Sequence, residues 1–132
     1  QLGGSREVLE RHGSTLRNYC ERCGKAWDTS VVAGCGGVPR CDCGGVIKPD
    51  VVLYEEALNG ETMYRAVDYI RRADVLIIGG TSLVVYPAAG LIDYYAGDKL
   101  VLINKSPTAM DARADLILSG PIGAILGAVR VG

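Results

Sequence analysis

Two cysteine pairs, Cys20-Glu21-Arg22-Cys23 and Cys41-Asp42-Cys43, constrain this chain more than any other feature of it. A glycine follows each pair, Gly24 and Gly44, and residues 24–40 lie between them. Paired thiolates at this spacing match a structural zinc site, where four sulfurs close a tetrahedron and leave no open position for chemistry. The competing reading is a redox C-x-x-C, but the residues before Cys20 do not read as a thioredoxin-like strand, and two pairs each followed by glycine favour metal. Residues 18–46 hold little apolar material beyond Trp27, Val31 and Val32. Burial alone does not hold such a segment together, so a metal is the expected staple. A fifth cysteine, Cys35 before Gly36-Gly37, is read as a spare, with replacement of Cys41 as the lesser alternative.

The remainder of the 132 residues has a different character. Hydrophobic residues make up 48% and charged residues 22%, which suits a folded core and argues against disorder. The net charge of −1, with lysine and arginine scattered, provides no footprint for nucleic acid or an anionic membrane. No apolar run approaches a bilayer span. Gln1-Leu2-Gly3-Gly4 lacks the basic start and apolar stretch of a signal peptide. An odd set of clustered cysteines fits a reducing compartment better than a disulfide framework, so a cytoplasmic location is expected.

Along the chain, residues 5–17 suggest an extended segment ending near His12. Residues 46–54, Val-Ile-Lys-Pro-Asp-Val-Val-Leu-Tyr, suggest a strand. Met63, Ala66, Val67 and Ile70 recur at helical spacing and predict a helix over 61–72, opened by Glu61 and closed by Arg71-Arg72. The run Asp74 to Gly80 reads as a strand buried on both faces in a parallel sheet. A helix is expected from Pro87 to Tyr95, strands over 99–104 and 115–118, and a last helix opened by Pro121. The order implies an open α/β sheet. Its ligand crevice lies beyond the C-terminal strand ends, where Gly79-Gly80-Thr81-Ser82, Asn104-Lys105-Ser106 and Ser119-Gly120 fall. Glycines allow a phosphate or ribose to approach, and hydroxyl and amide side chains hydrogen-bond it. Each stretch has a plainer reading: Gly80-Thr81-Ser82 as a capped turn, 51–54 as a core strand, His12 as a strand-end histidine.

In order, Glu10-Arg11-His12-Gly13-Ser14, the two cysteine pairs, Lys48-Pro49-Asp50-Val51-Val52-Leu53-Tyr54, Gly80-Thr81-Ser82-Leu83, Tyr86-Pro87-Ala88 and Leu102-Ile103-Asn104 resemble the sirtuins. Sirtuins are NAD-dependent protein lysine deacylases. The resemblance implies a partial Rossmann-like domain over 1–17 and 47–132, with a zinc-ribbon module inserted at 18–46. NAD and an acyl-lysine peptide would meet in the cleft between them. The acyl oxygen would attack C1′ of the nicotinamide ribose, nicotinamide would leave, and His12 would act as general base on a ribose hydroxyl. Histidine suits that step because it exchanges a proton near neutral pH. Water would then yield O-acyl-ADP-ribose and the deacylated lysine. The resemblance further implies that Gly80, Thr81, Ser82, Asn104, Lys105 and Ile122 contact NAD. Zn2+ would be held by Cys20, Cys23, Cys41 and Cys43, and the peptide would add as a strand along Val51, Val52 and Tyr54.

The sequence departs from the family in places. Its glycine-rich first turn and two further early motifs have no counterpart here, so the chain is read as the C-terminal part of a catalytic domain, completed by an N-terminal segment or chain. A catalytically incomplete zinc module that binds a partner is the alternative. Arg11 stands for the usual leucine, Tyr54 for phenylalanine, and Glu55 for the glycine of Phe-Gly-Glu. The second pair is C-x-C where C-x-x-C is commoner.

Overall fold

The computed structural model describes residues 3–57, 59–86 and 89–130. The chain forms two compact units, residues 1–63 and 64–132.

The first unit is built on an antiparallel three-stranded sheet of order β2-β1-β3, with β1 at Gly13–Cys20, β2 at Ala26–Trp27 and β3 at Ile47–Val51. The extended reading of residues 5–17 is displaced: the strand begins after His12 and runs on to the first cysteine. Its pairing partner β3 decides this, through Gly13 opposite Val51 and Cys20 opposite Ile47. Pro49 is tolerated in β3 because β3 is an edge strand. The register shifts between Ser14 and Asn18. A five-residue helix, α1 at Thr29–Ala33, starts where Asp28 accepts the Ser30 N–H. Buried Asn18 donates to the Thr29 hydroxyl at 3.0 Å and so ties α1 to β1. The core of this unit is Cys20, Cys41 and Ile47, flanked by Trp27, Val32 and Cys43.

Helix α2 covers Gly60–Arg72. The predicted helix is present, but its cap is Asn59, whose side chain accepts the Thr62 N–H at 3.1 Å, with Glu61 in the first turn. In the second unit, β4 (Leu76–Gly79), β5 (Leu100–Asn104) and β6 (Leu116–Ser119) form a parallel sheet of order β4-β5-β6. This is the expected α/β arrangement. Leu100, Leu102 and Ile103 of the central strand are buried. The edge strands are not covered on both faces as the apolar run in β4 suggests: Ile77 is 54% exposed. An apolar run reports what a strand can bury, and an edge position in a three-stranded sheet leaves part of it uncovered. Residues 89–94 form a 3-10 helix; the expected helix start at Pro87 lies outside the described residues. The last helix, α3, is Ile122–Gly127. Among the described residues, no helix is long and apolar enough to cross a membrane.

Candidate functional site

The four cysteines converge. The sulfurs of Cys20, Cys23, Cys41 and Cys43 all lie within 4.8 Å of one another, with Cys20 to Cys43 at 3.5 Å and Cys23 to Cys41 at 3.6 Å. A tetrahedron of Zn–S bonds near 2.3 Å has sulfur–sulfur edges of about 3.8 Å, so the cluster is close to the size zinc requires. The local turns explain how the chain delivers it. The Gly24 N–H reaches the Cys20 carbonyl and the Gly44 N–H reaches the Cys41 carbonyl, each at 2.8 Å. Both glycines have positive φ, 70° and 82°, which a side chain would resist. The C-x-C spacing therefore closes the same kind of knuckle as C-x-x-C. At Gly45 a Cβ would lie 2.6 Å from the Cys20 sulfur, so glycine there leaves room for the ligand. Cys35 is exposed and stands outside the cluster.

The electrostatics of the cluster also call for a cation. Burial opposes the Cys20 thiolate, but the N–H groups of Cys23 and Arg22 and the Cys43 thiol outweigh it and bring its pKa down to about 7. Cys23 moves the other way. The Lys25 N–H favours its thiolate, yet the Cys43, Cys20 and Cys41 sulfurs together push it up to about 12. Four sulfurs this close ionise together only around a positive ion. An ion held by all four sulfurs would serve structure alone, because no position would be left for a substrate.

His12 sits on a turn immediately before β1 and is exposed. Two features fix its backbone. The Gly13 N–H donates to the Glu10 carbonyl at 3.2 Å, and the Val52 N–H donates to the His12 carbonyl at 3.0 Å. Arg17 then bridges Glu10 at 2.7 Å and Asp50 at 2.8 Å, pinning the turn to β3. Its pKa is raised by the hydrogen bonds to Asp50 and Glu10. Gly13 has φ 75°, and a Cβ on it would lie 1.9 Å from the Asp50 carbonyl oxygen. Sequence reasoning singled out His12 and passed over Arg17 and Gly13 as its supports. The glycine beside the histidine was the available signal.

Val51 ends β3, and Val52, Leu53 and Tyr54 continue from it. Val52 spends its N–H on His12, so the peptide groups of Val51 face the other edge of β3, which pairs with no strand among the described residues. Glu56 closes the turn that follows. Its carboxylate accepts the Leu53 N–H at 2.9 Å and pairs with Lys48. Those two contacts, the Leu53 N–H foremost, hold its pKa below the ordinary value.

In the second unit a cavity of about 220 Å3 lies at the C-terminal ends of the parallel strands. Gly80, Asn104, Lys105 and Ile122 line it, together with Ile103 and Gly120. Four residues assigned to the cofactor from sequence are thus brought together, and Ile103 was missed because it reads as a core residue. Gly80 has φ 67°. At Gly79 a Cβ would fall 2.3 Å from the tip of Ile122, so the glycine pair lets α3 close on the strand end. The Asn104 side chain donates to the carbonyls of Thr81 and Ser106, both at 3.1 Å, and joins two strand-end loops. The Thr81 hydroxyl accepts the Leu83 N–H at 3.2 Å. Thr81 lines a second, apolar cavity of about 380 Å3 with Ile70, Leu76 and Ile92. Ser82 is exposed and lines neither cavity.

The model of the Sir2 family matches residues 1–87. The chain belongs to the Sir2 family. Among curated Sir2 relatives, the NAD-dependent protein deacetylase of Clostridium perfringens is 56% identical over 131 residues, covering 98% of this chain and 54% of that protein. The protein of the same name from Cutibacterium acnes is 49% identical over 130 residues, covering 98% of this chain and 53% of that one. A solved structure concerned with the mechanism and regulation of Sir2 enzymes superposes with a TM-score of 0.85 at 37% identity, over 94% of this chain and 55% of the other. A Sir2 solved with a p53 peptide and NAD+ gives 0.79 at 36% identity, over 92% and 53%. The chain spans about half the length of the relatives it matches. Within the Sir2 family, this chain thus carries a four-cysteine cluster suited to zinc and an α/β unit with a cavity at its strand ends that Asn104 and Lys105 help to line.

Proposed function

We propose that the protein containing this chain is an NAD-dependent protein lysine deacylase that releases nicotinamide and forms O-acyl-ADP-ribose. The observation that carries the reading is the cavity shared by Gly80, Asn104, Lys105 and Ile122 at the ends of a parallel sheet, in a chain with a deacetylase relative at 56% identity. In such sheets the strand ends are where nucleotides bind. Thr81 and Ser82, on the adjoining loop, belong to the same NAD site in this reading. His12 is the general base, held by Gly13 and by the Glu10–Arg17–Asp50 bridge. The acylated peptide adds along the free edge of Val51, with Val52 and Tyr54 beside it. The zinc module at 18–46 is an insertion between the parts of a nucleotide-binding domain over 1–17 and 47–132. Its ends leave and return as the paired Cys20 and Ile47, which supports that division. The reading includes further polypeptide to complete the fold, and a reducing, cytoplasmic setting that keeps the thiols available to metal.

The test is nicotinamide release from NAD in the presence of an acetyl-lysine peptide. The complete protein should release it only when both substrates are present. His12→Ala should abolish turnover at unchanged zinc content. A folded, zinc-loaded complete protein that releases no nicotinamide would leave the partner-binding zinc module as the function.

A further inference from the structure

Two non-glycine residues among those described carry left-handed backbone, Leu83 at φ 56° and Glu55 at φ 69°. Leu83 is buried and its N–H is taken by the Thr81 hydroxyl, so local packing accounts for it. Glu55 is the third residue of a turn closed by the Glu56 N–H on the Leu53 carbonyl at 3.2 Å, a position that calls for positive φ and that glycine normally fills. The Glu55 side chain is exposed, and the work of closing the turn falls on Glu56, which holds the Leu53 N–H and Lys48. Glycine would take this conformation without cost. Strained residues of this sort cluster where ligands are gripped. The position is also specific. Glu55 directly follows the segment from Val51 to Tyr54, Tyr54 beside it is 101% exposed, and the Glu56–Lys48 clamp fixes where the turn points. The result is a carboxylate presented to solvent on a held turn, next to the edge assigned above to the peptide.

We propose that Glu55 is a specificity residue that selects acylated peptides with a lysine or arginine side chain within a few residues of the acyl-lysine. The inference rests on the deacylase reading. A carboxylate only accepts hydrogen bonds, and guanidinium is its best-matched partner. A charge pair at the rim of a site acts mainly on encounter and is screened by salt.

The experiment compares kcat/KM of the complete protein for two acetyl-lysine peptides that differ only in flanking arginine against flanking glutamine. The arginine peptide should be favoured about twofold to fivefold at low ionic strength, as for an exposed pair, with the ratio falling as salt rises. Glu55→Gln should bring the ratio to about one. Glu55→Lys, which keeps a side chain at the strained position, should invert it. Equal use of both peptides by the native protein, or a preference that survives Glu55→Lys, overturns the inference while the deacylase reading stands. No turnover of either peptide removes both.

Discussion

Gly13 shows how tightly a single position is determined. Its φ is positive, and a Cβ there would stand only 1.9 Å from the Asp50 carbonyl oxygen, which leaves no room for any other residue. Gly13→Ala should lower stability by at least the roughly 1–2 kcal/mol of a left-handed L-residue and should displace His12. Gly3, with nothing near its Cβ direction, is the control that should change little; chemical denaturation of both variants checks this. Glu55 is the opposite case. There Glu55→Gly should raise stability by up to about 1 kcal/mol, the strain relieved less the added freedom of the unfolded chain. Glu56 makes a pH prediction. Its folded pKa is depressed, chiefly by the Leu53 N–H and then by Lys48. Its contribution is therefore present above the ordinary carboxylate pKa of about 4.3 and is lost as pH falls through the lower folded value. An NMR titration should place the Glu56 midpoint below that of a free glutamate, and Lys48→Met should move it upward.

At the scale of elements, the zinc module and the parallel sheet are held by different forces. The first unit has Cys20, Cys41 and Ile47 as its buried centre, so two of three core side chains are metal ligands. Metal binding there is folding free energy. A strong chelator should unfold residues 13–51 while β4, β5 and β6 keep their amide protection, readable by hydrogen exchange. Serine at Cys20, Cys23, Cys41 or Cys43 should lower bound zinc well below one per chain, and Cys35→Ser should leave it at one. Falling pH should weaken binding, because protons compete for the thiolates. The cysteine pattern was legible in the sequence because thiol spacing is a local property. The knuckle at Cys41 was less so, since whether C-x-C can turn as tightly as C-x-x-C depends on the positive φ of Gly44. Likewise the strand of residues 13–20 was misplaced, because its limits come from its partner β3 and not from its own composition.

At the scale of the whole molecule, the apolar runs predicted three parallel strands, and three are present among the described residues, with β5 in the middle. Their exposure was not legible. Ile77, Leu116 and Ile117 remain between 45% and 54% exposed, and the chain covers about half the length of its relatives. Exposed apolar strand faces of this kind promote association. The 132 residues alone should self-associate with rising concentration, as light scattering would register. The amino-acid sequence by itself determined the family, the four thiol ligands, the helix expected over 61–72 and the presence of strands near 74–80, 99–104 and 115–118, because each rests on short-range spacing. Tertiary structure alone decided that Gly80, Asn104, Lys105 and Ile122 share a cavity and that Arg17 braces the turn of His12 through Asp50. These depend on chain segments far apart in sequence meeting at a particular distance, and local pattern carries no record of that distance.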